Sequence, residues 1–344
     1  MYAFHTTKTK LQHYRRSLNT ASHSLSVLKA TCMRLVSFTA NGQKSIGVLT
    51  DDKIIDVISA CRIHRSKLGS DAGIVESPDM VRFLELGEAG VETARRAVSM
   101  VEGMSPDTLR EAAETDRLVH DLGSVRLHAP VSNPRKIVCL GLNYSDHAKE
   151  AGKPQPKEPI LFSKPATAIA DPEQPIVYPK ISKQVDYEVE LALVIGKKGK
   201  DIPVQKAFDY VAGYTVFNDV SARDIQFGDG QWFRGKSFDT FAPMGPCLAL
   251  KEQIPDPNNL KLGTRVNGET RQNGTTANMF FKVPYLVSFT SQVMTLEPGD
   301  VIATGTPAGV GIFAKPKPRL LKPGDIVEAW IENIGVLRNP VKTA

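Results

Sequence analysis

In the run V-D-Y-E-V-E-L-A-L-V-I (Val185 to Ile195), Asp186, Glu188 and Glu190 alternate with Val185, Tyr187, Val189 and Leu191. A β-strand sends successive side chains to opposite faces, so the three carboxylates share one face of an otherwise apolar strand. Crowded carboxylates repel one another and lose hydration unless something positive lies between them. A hard divalent cation with oxygen ligands meets both needs. The alternative is a half-exposed strand with a solvated acidic face, and this segment alone does not separate the two.

Four further segments carry groups able to do chemistry. F-N-D-V-S-A-R-D (Phe217 to Asp224) follows the apolar run Val211 to Val216, which puts Asp219 near a strand end. R-G-K-S-F-D-T-F (Arg234 to Phe241) sets Lys236 and Asp239 among aromatics. G-L-N-Y-S-D-H-A-K-E (Gly141 to Glu150) follows a short strand, Ile137 to Leu140. Its His147 and Glu150 stand three apart and share a face of a helical turn. D-V-I-A-T-G-T-P-A-G-V-G (Asp300 to Gly311) reads as a strand entering a Gly-rich turn. It lacks the Gly-Lys-Ser/Thr of a phosphate loop and opens no helix, which excludes a nucleotide site.

Together these segments resemble the fumarylacetoacetate hydrolase superfamily, from about Val125 to Val341 and in the family's order. The resemblance implies a metal triad of Glu188, Glu190 and Asp219, with Mg²⁺ the usual ion and Mn²⁺ a substitute. It also implies a catalytic Lys236, a lid-borne His147/Glu150 pair, and substrate-facing Arg223 and Gln226. Tyr144 either touches substrate or packs the lid. Lys164, in L-F-S-K-P (Leu161 to Pro165), lies where the fold brings a strand end to the pocket, and Thr306 matches a turn residue beside the substrate carboxylate. Asp186 matches no ligand and is expected to be a hydrogen-bonded neighbour, with Asp224 and Asp239 structural or supporting partners. His64, His120 and His128 have no partners at metal-ligand spacing and read as ordinary histidines.

The elements needed to position these groups are visible in outline. Residues 125–344 read as short strands split by Pro and Gly, with helices at Val204 to Tyr210 and Pro284 to Met294. No β-α-β alternation appears, which excludes a doubly wound nucleotide fold. Residues 33–124 read as a small domain. It begins with a meander (Leu35 to Phe38, Ser45 to Leu49, Lys53 to Val57), broken by Asn-Gly and Asp-Asp turns. Helices follow, one starting at Ser77-Pro78 and stopping at Gly87, then Ala89 to Val101 and Ser105 to Thr115. The expected fold class is α+β, a β-rich mixed β-roll of the fumarylacetoacetate hydrolase type behind a small N-terminal α+β domain.

The net charge of +6 on 344 residues does not signal nucleic-acid binding. No acidic residue precedes Asp51, whereas Lys8, Lys10, Arg15, Arg16, Lys29, Arg34 and Lys44 do, leaving 36 basic against 37 acidic residues in the rest. Residues 1–32 are Ser/Thr-rich, basic and acid-free, the profile of a mitochondrial transit peptide. A disordered tail, or an extension upstream of a second start at Met33, is the alternative. No apolar run approaches a membrane span. The four cysteines (Cys32, Cys61, Cys139, Cys247) lack zinc or disulfide spacing, which fits a reducing compartment.

A 2-oxo acid can chelate Mg²⁺ through its carboxylate and adjacent carbonyl oxygens, and such an ion stabilises an enolate beside that carbonyl. Tautomerisation, decarboxylation and carbon–carbon hydrolysis all proceed from that enolate, and the residues do not choose among them. The leader, the N-terminal domain and the run K-E-P-I-L-F-S-K-P (Lys157 to Pro165) resemble the family's mitochondrial branch, which implies oxaloacetate keto–enol tautomerase activity in the matrix. The alternatives are an acylpyruvate or fumarylpyruvate hydrolase, an oxaloacetate decarboxylase, and a non-catalytic dicarboxylate-binding protein. The expected partner is a small 2-oxo dicarboxylic acid, and the expected assembly is the family's homodimer.

Overall fold

The computed structural model describes residues 33–68, 75–115 and 117–344. The transit-peptide expectation for residues 1–32 lies outside them. Contacts divide the chain into two compact units that meet between His128 and Ala129.

The first unit opens with β1 (Arg34–Ala40), β2 (Gln43–Leu49) and β3 (Lys53–Asp56), an antiparallel meander. Asn41 and Gly42 both take positive φ (50° and 76°), as a two-residue turn must to match the twist of its strands. Next come α1 (Val57–Leu68), α2 (Met80–Glu85), α3 (Glu88–Glu102) and α4 (Pro106–Thr115). β4 (Val119–Asp121) and β5 (Arg126–His128) complete an antiparallel sheet in the order β4-β3-β2-β1-β5.

Helix α1 was not expected from the sequence: its cap, Asp56, whose Oδ1 accepts from the Ser59 N–H (2.9 Å), is also the last residue of β3, and the apolar residues of the helix continue those of the strand. The expected start of α2 also shifts. Asp79, not Ser77, caps it, with a carboxylate oxygen accepting from the Val81 N–H at 2.8 Å. A carboxylate both bonds the open N–H and complements the helix dipole, which a hydroxyl does only in part. Gly87 stops α2 as expected, taking φ 56° just past the C-cap Leu86 with its N–H on the Leu84 carbonyl (3.0 Å), and it serves as the N-cap residue of α3 as well.

In the second unit β6 (Ile137–Gly141), β7 (Ile160–Lys164), β8 (Ile169–Ala170), β9 (Ile176–Tyr178), β10 (Val185–Asp186) and β11 (Val189–Ile195) precede β12 (Val211–Asn218), β13 (Ser221–Ala222) and β14 (Ala242–Leu250). β15 (Lys261–Val266), β16 (Glu269–Thr275), β17 (Val301–Ala303), β18 (Ile326–Ile331) and β19 (Gly335–Thr343) follow. One sheet runs β14-β12-β11-β17-β6-β7 with β8 beside β14; a second runs β16-β15-β18-β19-β9, and β10 pairs with β13. Four α-helices punctuate these strands among the described residues: α5 (Ser145–Glu150), α6 (Arg223–Gly228), α7 (Phe233–Lys236) and α8 (Val283–Val293). Val204–Tyr210 is a 3₁₀ helix, and Pro284 lies in the first turn of α8, where its missing N–H costs nothing.

The fold is thus β-rich α+β, as the sequence implies. Val185, Tyr187, Val220, Ala222, Phe241, Leu321 and Val327 form an apolar cluster under the break between β10 and β11. Among the described residues no helix is long and apolar enough to cross a membrane.

Candidate active site

The run from Val185 to Ile195 is not one strand. It breaks at Tyr187-Glu188, and every residue in it is buried, so the solvated acidic face is excluded. The pairing explains how the carboxylates still converge. Val189 lies opposite Asn218 and Asp186 opposite Ser221, a single register continued across the break. Glu188 and Asp219 therefore face each other where the ladder opens. Opposed residues share a face, and Glu190, two residues on, shares it too. The Asp219 N–H donates to the Glu188 carbonyl (2.8 Å), and the Glu188 N–H donates to Asn218 Oδ1 (3.0 Å). Oxygens of Glu188, Glu190 and Asp219 lie within 4.8 Å of one another.

Three cations surround this cluster. Lys236 Nζ, at the end of α7, bridges Glu188 Oε2 (2.8 Å) and Asp219 Oδ2 (2.7 Å). Lys164 Nζ, at the end of β7, donates to Asp219 Oδ1 (2.5 Å) and the Val220 carbonyl (3.0 Å). Arg223 Nη2 lies 2.7 Å from Glu188 Oε1, an ion pair without hydrogen-bond alignment, while its Nε donates to Asp186 Oδ2 (2.9 Å). All of these side chains are buried.

Charge separation inside a low-dielectric pocket sets their protonation. Burial pushes the Glu188 carboxyl up, but Lys236 and Arg223 outweigh it and hold that group well below the usual carboxylate range. Burial, then Asp219 and Glu188, push Glu190 well up, with Lys236 opposing. Burial lowers Lys236, yet Asp219 and Glu188 outweigh it and leave its ammonium raised. Lys164 falls, because burial and repulsion from Lys236 exceed the attraction of Asp219.

Asp186 departs from the triad. Its carboxylate accepts from the Gly311 and Ile312 N–H groups (2.7 and 3.0 Å) and pairs with Arg223, tying the Gly-rich turn to α6. Arg223, expected to face substrate, is taken up by Asp186, Glu188 and Gln226, to whose Oε1 its Nη1 donates (3.0 Å). Asp224 accepts from Ser182 Oγ and the Lys183 N–H and sits outside the cluster; Asp239 is exposed.

His147 and Glu150, one turn apart on α5, pair through Nδ1 and Oε2 at 3.2 Å. The other Glu150 oxygen accepts from the Gly309 N–H (3.0 Å), which ties the helix to the Gly-rich turn. At Gly309 φ is +104° and an added Cβ would meet the Arg271 carbonyl at 2.3 Å, so the position demands glycine. His147 lies close enough to add to the positive field at Glu188. Tyr144 is fully buried and bridges Met279 through its backbone; burial, then Glu190, raise its hydroxyl, which stays protonated.

Thr306 is likewise engaged with protein. Its hydroxyl donates to the Val189 carbonyl (2.8 Å) and accepts from Gln272 Nε2 (2.8 Å). Thr306→Val, which keeps the shape, is therefore expected to cost about 1–3 kcal/mol of stability, because it strands buried polar groups. Urea unfolding would measure it, and an unchanged midpoint with a raised KM would move Thr306 to the substrate instead.

Reading the sequence missed Asn218, Gln272, Asn143 and Gly305. Asn218 and Asn143 stand inside quoted motifs, and Asn143 Nδ2 fixes the turn by donating to the Thr304 carbonyl (2.8 Å). The Gly305 N–H donates to Glu190 Oε2 (2.8 Å). Gln272, on β16, carries no local signal; it orients both the Val189 N–H and Thr306.

The donor set is three buried carboxylates from adjoining strands, hard oxygen ligands of the kind that hold Mg²⁺ or Mn²⁺. It therefore fits a divalent metal.

Comparison with known proteins agrees. The profile described as fumarylacetoacetate (FAA) hydrolase C-terminal matches residues 136–342. The chain is 42% identical to the mitochondrial oxaloacetate tautomerase fahd2 of Xenopus laevis over 335 residues, 94% of this chain and 95% of that one. The solved fumarylacetoacetate hydrolase of Exiguobacterium antarcticum is 35% identical with TM-score 0.70, covering 91% of this chain and 100% of its own. Maleylpyruvate hydrolase from Sphingobium sp. SYK-6, solved with manganese(II) and pyruvate, is 28% identical with TM-score 0.66 over the same shares.

Proposed function

This chain belongs to the fumarylacetoacetate hydrolase family, and from that premise we propose that it is an Mg²⁺-dependent oxaloacetate keto–enol tautomerase. The observation that carries the reading is its identity to the Xenopus tautomerase across nearly the whole of both chains. The mitochondrial relative and the acid-free leader support the matrix as its location, and the family's homodimer is the assembly we assign. Residues 125–344 are the catalytic domain in this reading.

Glu188, Glu190 and Asp219 hold the ion. When bound, Mg²⁺ supplies Lewis-acid stabilisation of negative charge on the substrate's C2 oxygen. Lys236 Nζ, kept protonated by Asp219 and Glu188, delivers or holds the proton at that oxygen. Glu150 takes the Nδ1 side of His147, which leaves Nε2 to move a proton at C3. Gln226 uses its oxygen on Arg223, so its amide nitrogen is the group left to meet a substrate carboxylate. Arg223 itself positions Glu188. Lys164 is a positive wall behind Asp219, and Tyr144 and Thr306 shape the lid and turn.

Nuclear magnetic resonance of oxaloacetate in deuterated water tests the reading. The enzyme is expected to exchange the C3 protons while the dicarboxylate stays intact. Release of pyruvate and CO₂ in step with exchange would make it a decarboxylase. The second reading, an acylpyruvate hydrolase, is favoured by the retained His147/Glu150 pair, which can also activate water. A cleaved acyl acid from an acylpyruvate at a comparable rate would establish that one.

Glu150→Gln checks the orienting role. An amide oxygen can serve His147 or the Gly309 N–H, not both, so kcat should fall roughly tenfold with KM little changed. That is a fraction of the roughly 10²–10⁴ a general base contributes. A fall in KM-dependent binding alone would place Glu150 elsewhere.

A further inference from the structure

The N-terminal unit holds a cavity of about 440 Å³ whose chemistry the proposed reaction does not use. Its floor is polar and buried. Asp56 Oδ1 accepts from Ser45 Oγ (2.8 Å) and from the Ser59 N–H (2.9 Å). The other oxygen, Oδ2, is left facing His120 Nε2 at 3.8 Å, beyond hydrogen-bond reach. The His120 ring is held by Phe38, with centroids 5.3 Å apart. Lys44, Arg62 and Arg117 line the same cavity and are exposed, and among the described residues none is in an ion pair. Arg117 reaches only Gln43 Oε1, at 3.4 Å.

Two opposite demands are thus built into one small space. The three cations favour an anion. A bare anion does nothing for Asp56 Oδ2, the one carboxylate oxygen of that residue left open to the cavity without a hydrogen bond, which gains from a donor. A molecule with carboxylates for the cations and a hydroxyl or ammonium group for Asp56 satisfies both. The volume is within the roughly 300–1,000 Å³ of ordinary small-molecule sites.

We propose that this cavity binds a small dicarboxylate bearing one hydroxyl or ammonium donor, with the donor on Asp56 Oδ2 beside His120 and the carboxylates on Arg62, Arg117 and Lys44. Its lining shares no residue with the carboxylate cluster, and it needs no metal.

Isothermal titration calorimetry on the full chain tests it, with L-malate, L-aspartate and succinate as probes and no added metal. The Asp219→Asn background removes binding at the proposed active site. L-malate or L-aspartate should bind once per chain, and which of the two binds tighter tells hydroxyl from ammonium. Succinate, lacking the donor, should bind about tenfold more weakly or worse. Arg62→Ala/Arg117→Ala, exposed changes that leave the core intact, should weaken malate by tenfold or more. Asp56→Asn should erase the preference of L-aspartate over succinate, because Ser45 and Ser59 pin the amide oxygen and turn a donor toward an ammonium that cannot accept. Absence of malate and aspartate binding in that background, or binding indifferent to the two arginines, would overturn the proposal. Equal affinity for succinate would overturn the role of Asp56.

Discussion

Asp219→Asn is expected to abolish the Mg²⁺-dependent loss of enol-oxaloacetate, by about three orders of magnitude in kcat/KM. Asp219 is the point where the cluster is joined: one oxygen meets Lys164, the other Lys236, and its backbone N–H holds Glu188 in place. Replacing one carboxylate of three by a neutral amide weakens a hard-cation site directly. Losing Lewis-acid stabilisation worth several kcal/mol corresponds to about a thousandfold in rate. Asparagine is the informative substitution because alanine does two things at once. It would leave the Lys164 ammonium with only the Val220 carbonyl and Lys236 with Glu188 alone, and breaking a buried pair costs about 3–5 kcal/mol. An Asp219→Asn protein that melts near wild type yet binds no Mg²⁺ by calorimetry isolates the metal role. Activity within about threefold of wild type would remove Asp219 from it.

Lys236→Met separates proton delivery from metal binding. The ammonium sits between Glu188 and Asp219, at 2.8 and 2.7 Å, and over the Phe162 ring at 5.1 Å. Those carboxylates keep it protonated despite burial, so the group presented to a substrate oxygen is a donor. Methionine fills similar volume without the charge. The expected result is a fall in kcat of about 10²–10⁴ with Mg²⁺ affinity equal or higher, since a competing cation has gone from between two ligands. Parallel loss of kcat and Mg²⁺ affinity would instead make Lys236 a structural counter-ion.

Much of this site was legible because period-two alternation survives in sequence even where the strand does not survive in structure. Glu188 and Glu190 read as neighbours on one face, and they are. The break at Tyr187-Glu188 was hidden because the alternation continues straight through it. What opens the ladder there is contact with distant groups: Asn218 on the Glu188 N–H, and Arg223 with the Gly311 and Ile312 amides on Asp186. Those partners lie 30 or more residues away, and only pairing of the strands reveals them. The same holds for Gln272, 83 residues from Val189. Arg223 could be picked out as a site residue but not given its orientation, because its type is equally suited to substrate or to Asp186. In the N-terminal unit the meander was visible from its turns, whereas α1 was not, since its cap Asp56 is also the last residue of β3 and the helix inherits the apolar residues of that strand. His120 read as unremarkable for the same reason that Gln272 did: its neighbour Asp56 is brought beside it only by the pairing of β3 with β4.

The central claim is metal-dependent tautomerisation without bond cleavage, and stopped-flow ultraviolet absorbance of enol-oxaloacetate tests it most directly. The decay is followed with Mg²⁺ and after chelation, with pyruvate measured in parallel. The expected result is fast decay with Mg²⁺, decay at the uncatalysed rate after chelation, and no pyruvate above the spontaneous background. Pyruvate appearing at the rate of enol loss, or decay indifferent to enzyme and metal, would contradict it.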